Sequence, residues 1–260
     1  MKISVVTISY NQIAFLKRCI DSVHSQSGDF ELEHIIVDPG STDGSRELID
    51  SYGDKVVKIY EKDSGPADGL NKGFSIATGE IYGFLNSDDI LLDGALEKVI
   101  EKFRKYKKID VISFNGYEID EQDNIVSILL SNKFDYKAYA YGCCVLLQQS
   151  TFFKSEVFQA VSGFNVDNKI SWDGELWFDM ARKKFKFKKF SGYLSGFRIY
   201  DASITGSGEH VDRAELVLKR HRDQIGEGNS IGFCRKYFLW LKVRIFDFDF
   251  WLNKIRGFLV

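Results

Sequence analysis

Proline and cysteine are scarce in this chain of 260 residues. It has 2 prolines and 22 glycines, which excludes a collagen-like or low-complexity structure. Its four cysteines are Cys19, Cys143, Cys144 and Cys234, and none stands at a metal-ligand spacing. A disulfide framework and a zinc site are therefore not expected. Reduced thiols of this kind predict a cytoplasmic location.

Long apolar runs and an excess of one charge are also missing. No stretch of 18 uncharged apolar residues occurs, so we expect no membrane-spanning helix, and no signal-peptide cleavage site follows the short apolar run at residues 3–8. The formal net charge of −2 gives no reason to expect a nucleic-acid-binding protein. A hydrophobic content of 44% is enough for a substantial core, which excludes general disorder.

Strands and helices alternate through the first hundred residues. Short β-branched runs predict strands at 3–9, 33–38, 56–60 and 81–85, and helical spacing predicts helices at 13–25, 45–52 and 65–78. A further helix ends at Lys105, with Asp93 predicted as its N-cap. This rhythm predicts an α/β fold with a mostly parallel central sheet and helices on both faces.

The rhythm changes after residue 110. We predict strands at 111–117, 125–130, 143–149 and 185–190, helices at 154–161, 173–184 and 209–221, and a Ser/Gly-rich loop at 191–210. The simplest division is one domain over residues 1–225, with halves 1–110 and 111–225, followed by a helical appendage at 226–260.

Polar side chains stand at the end of each of the first four predicted strands: Ser9-Tyr10-Asn11, Asp38, Asp63 and Asn86-Ser87-Asp88-Asp89. Such residues are common in turns, but four strand ends in succession favour a ligand cleft at the carboxyl edge of the sheet. Two adjacent carboxylates at 88 and 89 repel each other unless a cation is near, and hard oxygen ligands suit Mg²⁺ or Mn²⁺.

Five motifs resemble those of the family 2 glycosyltransferases, which are inverting enzymes with the GT-A fold. They are Thr7-Ile8-Ser9-Tyr10-Asn11, Asp38-Pro39-Gly40-Ser41-Thr42-Asp43-Gly44-Ser45, Asn71-Lys72-Gly73, Ala77-Thr78-Gly79-Glu80 and Leu85-Asn86-Ser87-Asp88-Asp89. They occur in the family's order, and the resemblance extends from residue 3 to about residue 205.

This resemblance implies a donor site. Thr7, Ser9, Tyr10, Asn11 and Asp38 would hold the base and ribose of a nucleotide-sugar, with UDP favoured. Asp63, Asp68 and Lys72 would close the nucleotide site. Asn86, Ser87 and Asp88 occupy the place of the family's Asp-x-Asp motif, whose first position is Asn here.

The resemblance also implies a metal site and a catalytic base. Asp88, Asp89 and His210 are the candidate ligands for Mn²⁺ or Mg²⁺. The segment Trp172-Asp173-Gly174-Glu175-Leu176-Trp177 resembles the family's Glu-Asp-x-Asp-Leu-Trp pattern, which makes Asp173 the base and Glu175 the second candidate. Arg198 and His210 would reach the diphosphate or the metal, or else are exposed loop residues.

The C-terminal segment 231–260 differs from the rest in composition. It has nine aromatic residues and a charge of +4, which leaves −6 for the other 230 residues. Basic aromatic helices lie on anionic membrane surfaces, but they also pack onto their own domain or onto a second subunit. Peripheral contact with the cytoplasmic face of the inner membrane and homo-oligomer formation both stay open.

The sequence thus predicts an inverting, metal-dependent hexosyl- or N-acetylhexosaminyl-transferase. Its acceptor would be a glycan or a lipid-linked glycan in surface polysaccharide synthesis, with no role for nucleic acid. A sugar nucleotidyltransferase is an alternative, although the segment 7–11 lacks the Gly-rich, basic loop that holds a triphosphate. A non-catalytic membrane- or subunit-binding protein on a decayed transferase fold is the other alternative.

Overall fold

A computed structural model describes residues 1–200, 211–228 and 231–258 of the chain. The strands are β1 (Lys2–Ile8), β2 (Glu31–Val37), β3 (Val57–Ile59), β4 (Ile81–Asn86), β5 (Ile90–Leu91), β6 (Val111–Ile119), β7 (Ile125–Leu129), β8 (Thr151–Lys154) and β9 (Phe187–Arg198). The helices are α1 (Ile13–His24), α2 (Ser45–Ser51), α3 (Pro66–Ile76), α4 (Ala95–Lys105), α5 (Tyr136–Ala140), α6 (Ser155–Ala160), α7 (Trp172–Arg182), α8 (Val211–Gln224), α9 (Phe233–Lys242) and α10 (Phe248–Phe258). None of these helices is both long enough and apolar enough to span a bilayer, within the residues described.

One sheet organises the described chain. Its order is β3-β2-β1-β4-β8-β6-β9-β5, with β7 added beside β6. The pairs β1–β2, β1–β4, β2–β3 and β6–β9 are parallel, whereas β8 runs against both of its neighbours. The predicted α/β fold with a central sheet flanked by helices is therefore confirmed; the strands β1 to β4 pair in parallel, and the pairs β4–β8, β6–β8, β6–β7 and β5–β9 are antiparallel.

Each face of the sheet carries its own hydrophobic core. On one face, α3 and α7 cover the strands with Leu70, Phe74, Trp177 and Met180. On the other, α1 and α4 bury Cys19, Leu96 and Phe103. The first core joins residues from 6 to 180, so the two halves of the predicted domain share their packing.

Three local predictions were wrong. Residues 143–147 form no strand, because the backbone N–H groups of Leu147 and Val145 donate hydrogen bonds to the side chains of Ser131 and Asn132 instead of to a neighbouring strand. Residues 191–198 belong to β9 instead of a loop. Asp93 does not cap α4, because Gly94, with a left-handed φ of 69°, occupies the N-cap.

The C-terminal helices lie against the domain through a narrow apolar contact. Leu239 and Val243 pack on Ala138, Tyr141, Cys143 and Cys144. Beyond α9, Lys189 Nζ of β9 lies 2.6 Å from a carboxylate oxygen of Asp247, and Asn115 Nδ2 donates to Asp249 at 2.8 Å. The appendage is thus held by buried polar contacts as well as by its core. The domain boundary at residue 225 stays a prediction.

Candidate active site

The ends of the parallel strands meet at one edge of the sheet. In the register, Ile8 of β1 stands beside Val37 of β2 and Asn86 of β4, and Val37 stands beside Ile59 of β3. A cleft of about 890 Å³ opens beyond this edge. Polar residues from all these strand ends line it or lie directly behind it, as expected for an open parallel sheet.

The segment after β1 supplies one end of the cleft. Tyr10 is 61% exposed and lines it together with Ser9, whose buried Oγ has no hydrogen-bond partner within the described chain. Asn11 adopts a left-handed φ of 52° and accepts a hydrogen bond from Thr42 N at 2.9 Å, which fixes the loop. Thr7 points to the opposite side of the sheet, where its Oγ1 lies 2.9 Å from His34 Nε2.

Asp38 is fully buried directly behind the cleft. Its Oδ1 accepts hydrogen bonds from Gly40 N at 2.9 Å, Ser41 N at 2.8 Å and Arg46 Nε at 3.0 Å. Its Oδ2 has no partner in the part of the chain described. The carboxylate thus shapes the Pro39–Gly40 turn on the cleft wall and keeps one acceptor atom free.

Asp63 follows β3 and lines the cleft beside Gly65 and Pro66. Burial raises the pKa of its carboxyl above the ordinary aspartate value, and a hydrogen bond from Gly65 N opposes that rise. Asp68 and Lys72 lie outside the lining: Asp68 accepts from Ser64 N at 2.9 Å, and Lys72 Nζ donates to the carbonyl of Lys62. They hold the loop that presents Asp63.

Asn86, Ser87 and Asp88 follow β4 and line the floor of the cleft. Asn86 Oδ1 is buried without a partner among the described residues, while Asp88 Oδ2 accepts a hydrogen bond from the Tyr200 hydroxyl at 3.1 Å. Burial raises the pKa of the Asp88 carboxyl.

Asp89 lies behind this floor instead of in it. Its side chain is fully buried, and Oδ1 accepts from the backbone N–H of Arg198 at 2.9 Å. Burial raises the pKa of Asp89 well above its ordinary value, and the neighbouring charge of Asp88 adds to the rise.

The Arg198 side chain ties four segments together. Nε donates to the carbonyl of Asp88 at 2.7 Å, and the terminal nitrogens reach the carbonyl of Asp120 and the carboxylate of Asp123. The guanidinium carbon lies 4.8 Å from the centre of the Phe15 ring. Arg198 lines the cleft, but its cationic head is occupied by these protein partners.

Asp173 stands on the opposite wall, at the start of α7. Burial raises the pKa of its carboxyl, and the backbone N–H of Gly174 partly opposes this. The neighbouring Gly174 is required by packing, since a Cβ there would lie 1.8 Å from the Tyr139 hydroxyl oxygen. Together these features place a carboxylate of raised pKa at the wall of a cleft.

Glu175 faces away from the cleft. Its carboxylate accepts from Asn165 Nδ2 at 3.1 Å, Asn168 Nδ2 at 2.6 Å and Arg220 Nη2 at 2.6 Å. It therefore anchors the 165–171 loop that leads into α7.

Tyr200, Trp172 and Gln148 are among the cleft residues that sequence reasoning missed. Tyr200 lies beyond the motifs and reaches Asp88 only through the fold. Trp172 stands where the family pattern has Glu, and it lines the wall. Gln148 Nε2 donates to Phe84 O at 2.5 Å and thereby joins the loop before β8 to β4.

No cluster of three or more His, Cys, Asp or Glu suited to a metal ion exists among the described residues. Two hard oxygen donors are nevertheless present on the floor: the Asp88 carboxylate and the unpartnered Asn86 Oδ1. This set fits Mg²⁺ or Mn²⁺, which bind proteins through one or two carboxylates and take further ligands from phosphate and water. His210 lies outside the described residues.

Comparison with known proteins gives consistent matches. The family model "Glycosyl transferase family 2" matches residues 4–204. A protein of Bacillus subtilis named as a teichuronic acid biosynthesis glycosyltransferase, TuaG, is 36% identical over 125 residues, covering 46% of this chain and 48% of its own. The chain spans between 31% and 66% of the lengths of five further curated relatives.

Two solved structures show the same fold. S. aureus TarS (residues 1–349, in complex with UDP-GlcNAc) superposes with a TM-score of 0.68 at 16% identity, covering 94% of this chain and 71% of that one. The mannosyltransferase PcManGT from Pyrobaculum calidifontis, in complex with GDP-Man and Mn²⁺, gives 0.66 at 16% identity, covering 93% and 68%.

Proposed function

The chain belongs to glycosyl transferase family 2, and we propose that it transfers a sugar from a nucleoside-diphosphate sugar to a hydroxyl group of an acceptor glycan. One observation carries the proposal: a single cleft has the Asp173 carboxyl on one wall and the strand-end groups of Tyr10, Asp63 and Asp88 on the other sides. A base and a donor site on opposite sides of one cleft are what direct displacement at a sugar carbon needs.

The donor is bound, in this proposal, along the strand ends. The exposed Tyr10 ring offers a stacking surface for the base, and Asp63 with the free acceptor atoms of Ser9 and Asp38 offers partners for base and ribose donors. We favour a UDP-sugar. This preference draws on the family and on the UDP-GlcNAc bound by TarS.

Asp88 and Asn86 would hold a divalent ion, as the Mn²⁺ complex of PcManGT suggests. When bound, such an ion neutralises the charge of a diphosphate. Asp89 and Arg198 act in this proposal as positioning residues, since they fix the backbone of the loop that carries Asp88.

Asp173 is the proposed general base. Its carboxylate would accept the proton of the attacking hydroxyl as the new glycosidic bond forms and the bond to the diphosphate breaks. Burial raises its pKa above the ordinary aspartate value, and a higher pKa makes a carboxylate a stronger proton acceptor. We propose a hexosyl or N-acetylhexosaminyl donor and, in line with TuaG, a surface glycan or a lipid-linked glycan as acceptor.

The test separates chemistry from binding. Asp173→Asn should lower transfer by about 10² to 10⁴-fold, which is the usual contribution of a positioned base, while the thermal shift given by UDP with Mn²⁺ stays unchanged. Asp179→Asn is the matched control, because Asp179 is a half-buried carboxyl of the same helix that does not line the cleft.

Two results would contradict the assignment. Wild-type activity in Asp173→Asn would exclude this base, and Glu175→Gln would then be examined. Absence of a thermal shift with UDP, GDP and dTDP, each with Mn²⁺, would exclude the donor site itself.

A further inference from the structure

Six of the eight aromatic side chains within residues 231–254 are exposed. On α9, Leu239 is buried against the domain, whereas Phe233 and Phe238 are 83% and 65% exposed. Phe246 and Phe248, in and after the bend between α9 and α10, are 91% and 71% exposed. Scattered exposed apolar residues are ordinary, but a run of large aromatic side chains at one site marks an interaction surface.

The rings form a continuous strip across both helices. Phe233 stacks on Tyr237 at 6.4 Å, and Tyr237 on Trp240 at 5.8 Å. Trp240 meets Phe250 of α10 at 5.6 Å, and Phe250 meets Trp251 at 5.2 Å. We call these five residues the aromatic strip; it runs along α9 and crosses to α10 without interruption.

Cations accompany the strip. The Arg244 guanidinium lies 4.9 Å from the Trp240 ring centre, and Lys254 Nζ lies 5.8 Å from that of Trp251. Lys236 is exposed on α9. Within the described chain, no carboxylate lies within ion-pair distance of Lys236, Arg244 or Lys254. The Arg244 guanidinium also donates to the carbonyls of Cys143 and Trp240, so the exposed cations of this surface are Lys236 and Lys254.

We propose that the aromatic strip, together with Phe246, binds the surface of an anionic lipid bilayer. Tryptophan and tyrosine favour the interface between acyl chains and headgroups, and each nearby cation adds attraction to anionic lipid. A second copy of the chain fits less well, since a two-fold contact would set this basic surface against itself.

The strip is also held at a fixed orientation to the domain. The Lys189–Asp247 ion pair and the Asn115–Asp249 hydrogen bond anchor the start of α10 to the sheet. Binding through the strip would therefore orient the whole domain on the bilayer. This proposal does not depend on the identity of the donor or on the catalytic base.

The experiment measures co-sedimentation of the full chain with two kinds of vesicle: phosphatidylcholine alone, and phosphatidylcholine with about a third phosphatidylglycerol. We expect binding to the anionic vesicles and little to the neutral ones. Lys236→Gln with Lys254→Gln should lower the partition coefficient by about tenfold or more, from the loss of two surface cations. Lys98→Gln with Lys107→Gln removes the same charge elsewhere and should leave it within about twofold.

The aromatic contribution needs its own pair of variants. Phe233→Ser with Phe246→Ser should reduce binding to anionic vesicles by about tenfold or more, because two exposed rings no longer enter the interface. Val57→Ser with Ile76→Ser is the control, since these exposed apolar residues lie on β3 and α3.

Three outcomes would overturn the proposal. The first is equal binding of the wild-type chain to both vesicles, or binding to neither. The second is unchanged binding by both tail variants. The third is a dimer in sedimentation equilibrium without lipid that dissociates in Phe233→Ser/Phe246→Ser, which would make a second copy the occupant of the surface.

Discussion

At the scale of single residues, the cleft contains several carboxyl groups whose ionised form is disfavoured by burial. Burial raises the pKa of the carboxyls of Asp63, Asp88 and Asp173, so each of these groups is less stable when ionised in the fold than in water. Groups arranged in this way contribute to a site for a ligand at a cost to the stability of the free protein.

This cost can be measured at Asp173. A folded-state pKa above the unfolded value means that the folded state holds its proton more tightly, so stability falls as pH rises from the unfolded pKa through the folded one. Above the folded-state pKa the wild-type protein carries the full cost, and Asp173→Asn removes it. We expect the variant to have the higher Tm at pH 7, with the gain shrinking as the pH approaches the ordinary aspartate value.

Thermal unfolding of both proteins across this pH range checks the prediction. Asp93→Asn serves as the control, because Asp93 is exposed and lies outside the cleft lining. A gain in Tm that is the same at every pH would show that the charge of Asp173 is not responsible.

At the scale of elements, the Asn71-Lys72-Gly73 motif joins α3 to its neighbours. Asn71 Nδ2 donates to Phe164 O at 2.9 Å, and Asn71 Oδ1 accepts from Phe164 N at 2.9 Å, which fixes the turn after α6. One side chain thereby ties this turn to α3. Gly73 allows α3 to lie directly on β1.

Gly73→Ala tests that close approach. A Cβ at this position would lie 2.4 Å from Val6 Cγ1, inside the core beneath the cleft. Alanine favours helices, but overpacking in a core costs about 1–3 kcal/mol, so we expect a net loss of unfolding free energy. Urea denaturation measures it, and Gly232→Ala is the control because, among the described residues other than its chain neighbours, no atom lies within 4 Å of its added Cβ. Equal stability of the two variants would mean that α3 shifts freely.

The sequence predicted the elements whose signals are local. The four strand ends at Ser9, Asp38, Asp63 and Asn86 were predictable, because β-branched runs followed by turn residues mark them. The Ser/Gly-rich run 191–198 was mistaken for a loop. In β9, Gly196 allows close strand contact: a Cβ there would lie 2.8 Å from Ile119 Cδ1 of β6 and 3.0 Å from Ile90 Cγ1 of β5.

The candidate site also has residues that local sequence predicts and residues whose orientation depends on distant partners. Residues on or next to the motifs, such as Tyr10 and Asp88, line the cleft as their positions at strand ends suggested. The side-chain directions of Thr7, Glu175 and Arg198 depend on partners far along the chain, namely His34, Arg220 and Asp123. No local pattern contains that information, and the same holds for the contact of Tyr200 with Asp88.

At the scale of the whole molecule, a buried ion pair is among the contacts that link the basic appendage to the acidic remainder. The side chains of Lys189 and Asp247 are 9% and 4% exposed, and Asp249 lies 3.5 Å from the same ammonium group. Asp247 also accepts from Phe250 N at 3.2 Å, so it begins α10 as well as anchoring it. The pair thus fixes how the appendage sits on β9.

Breaking the pair from one side should release the appendage. Lys189→Met leaves two carboxylates without their cation, and loss of one partner of a buried pair costs about 3–5 kcal/mol. Limited proteolysis should then cut within α9 or α10 faster than in the wild type. Lys189→Met with Asp247→Asn keeps a capping residue without the charge and should recover most of the protection. Equal cutting of both variants would assign the effect to packing of the lysine stem.

The four tryptophans lie in three different environments, so their fluorescence can report on separate parts of the molecule. Trp177 is sealed among Phe84 and Phe153 in the core, Trp172 lines the cleft, and Trp240 and Trp251 belong to the appendage. Variants that keep a single tryptophan should therefore differ in emission maximum and in accessibility to quenchers. Nucleotide binding should change the fluorescence intensity of Trp172. Binding to a bilayer should shift the emission of Trp240 and Trp251 to shorter wavelengths. The emission of Trp177 should change only when the protein unfolds.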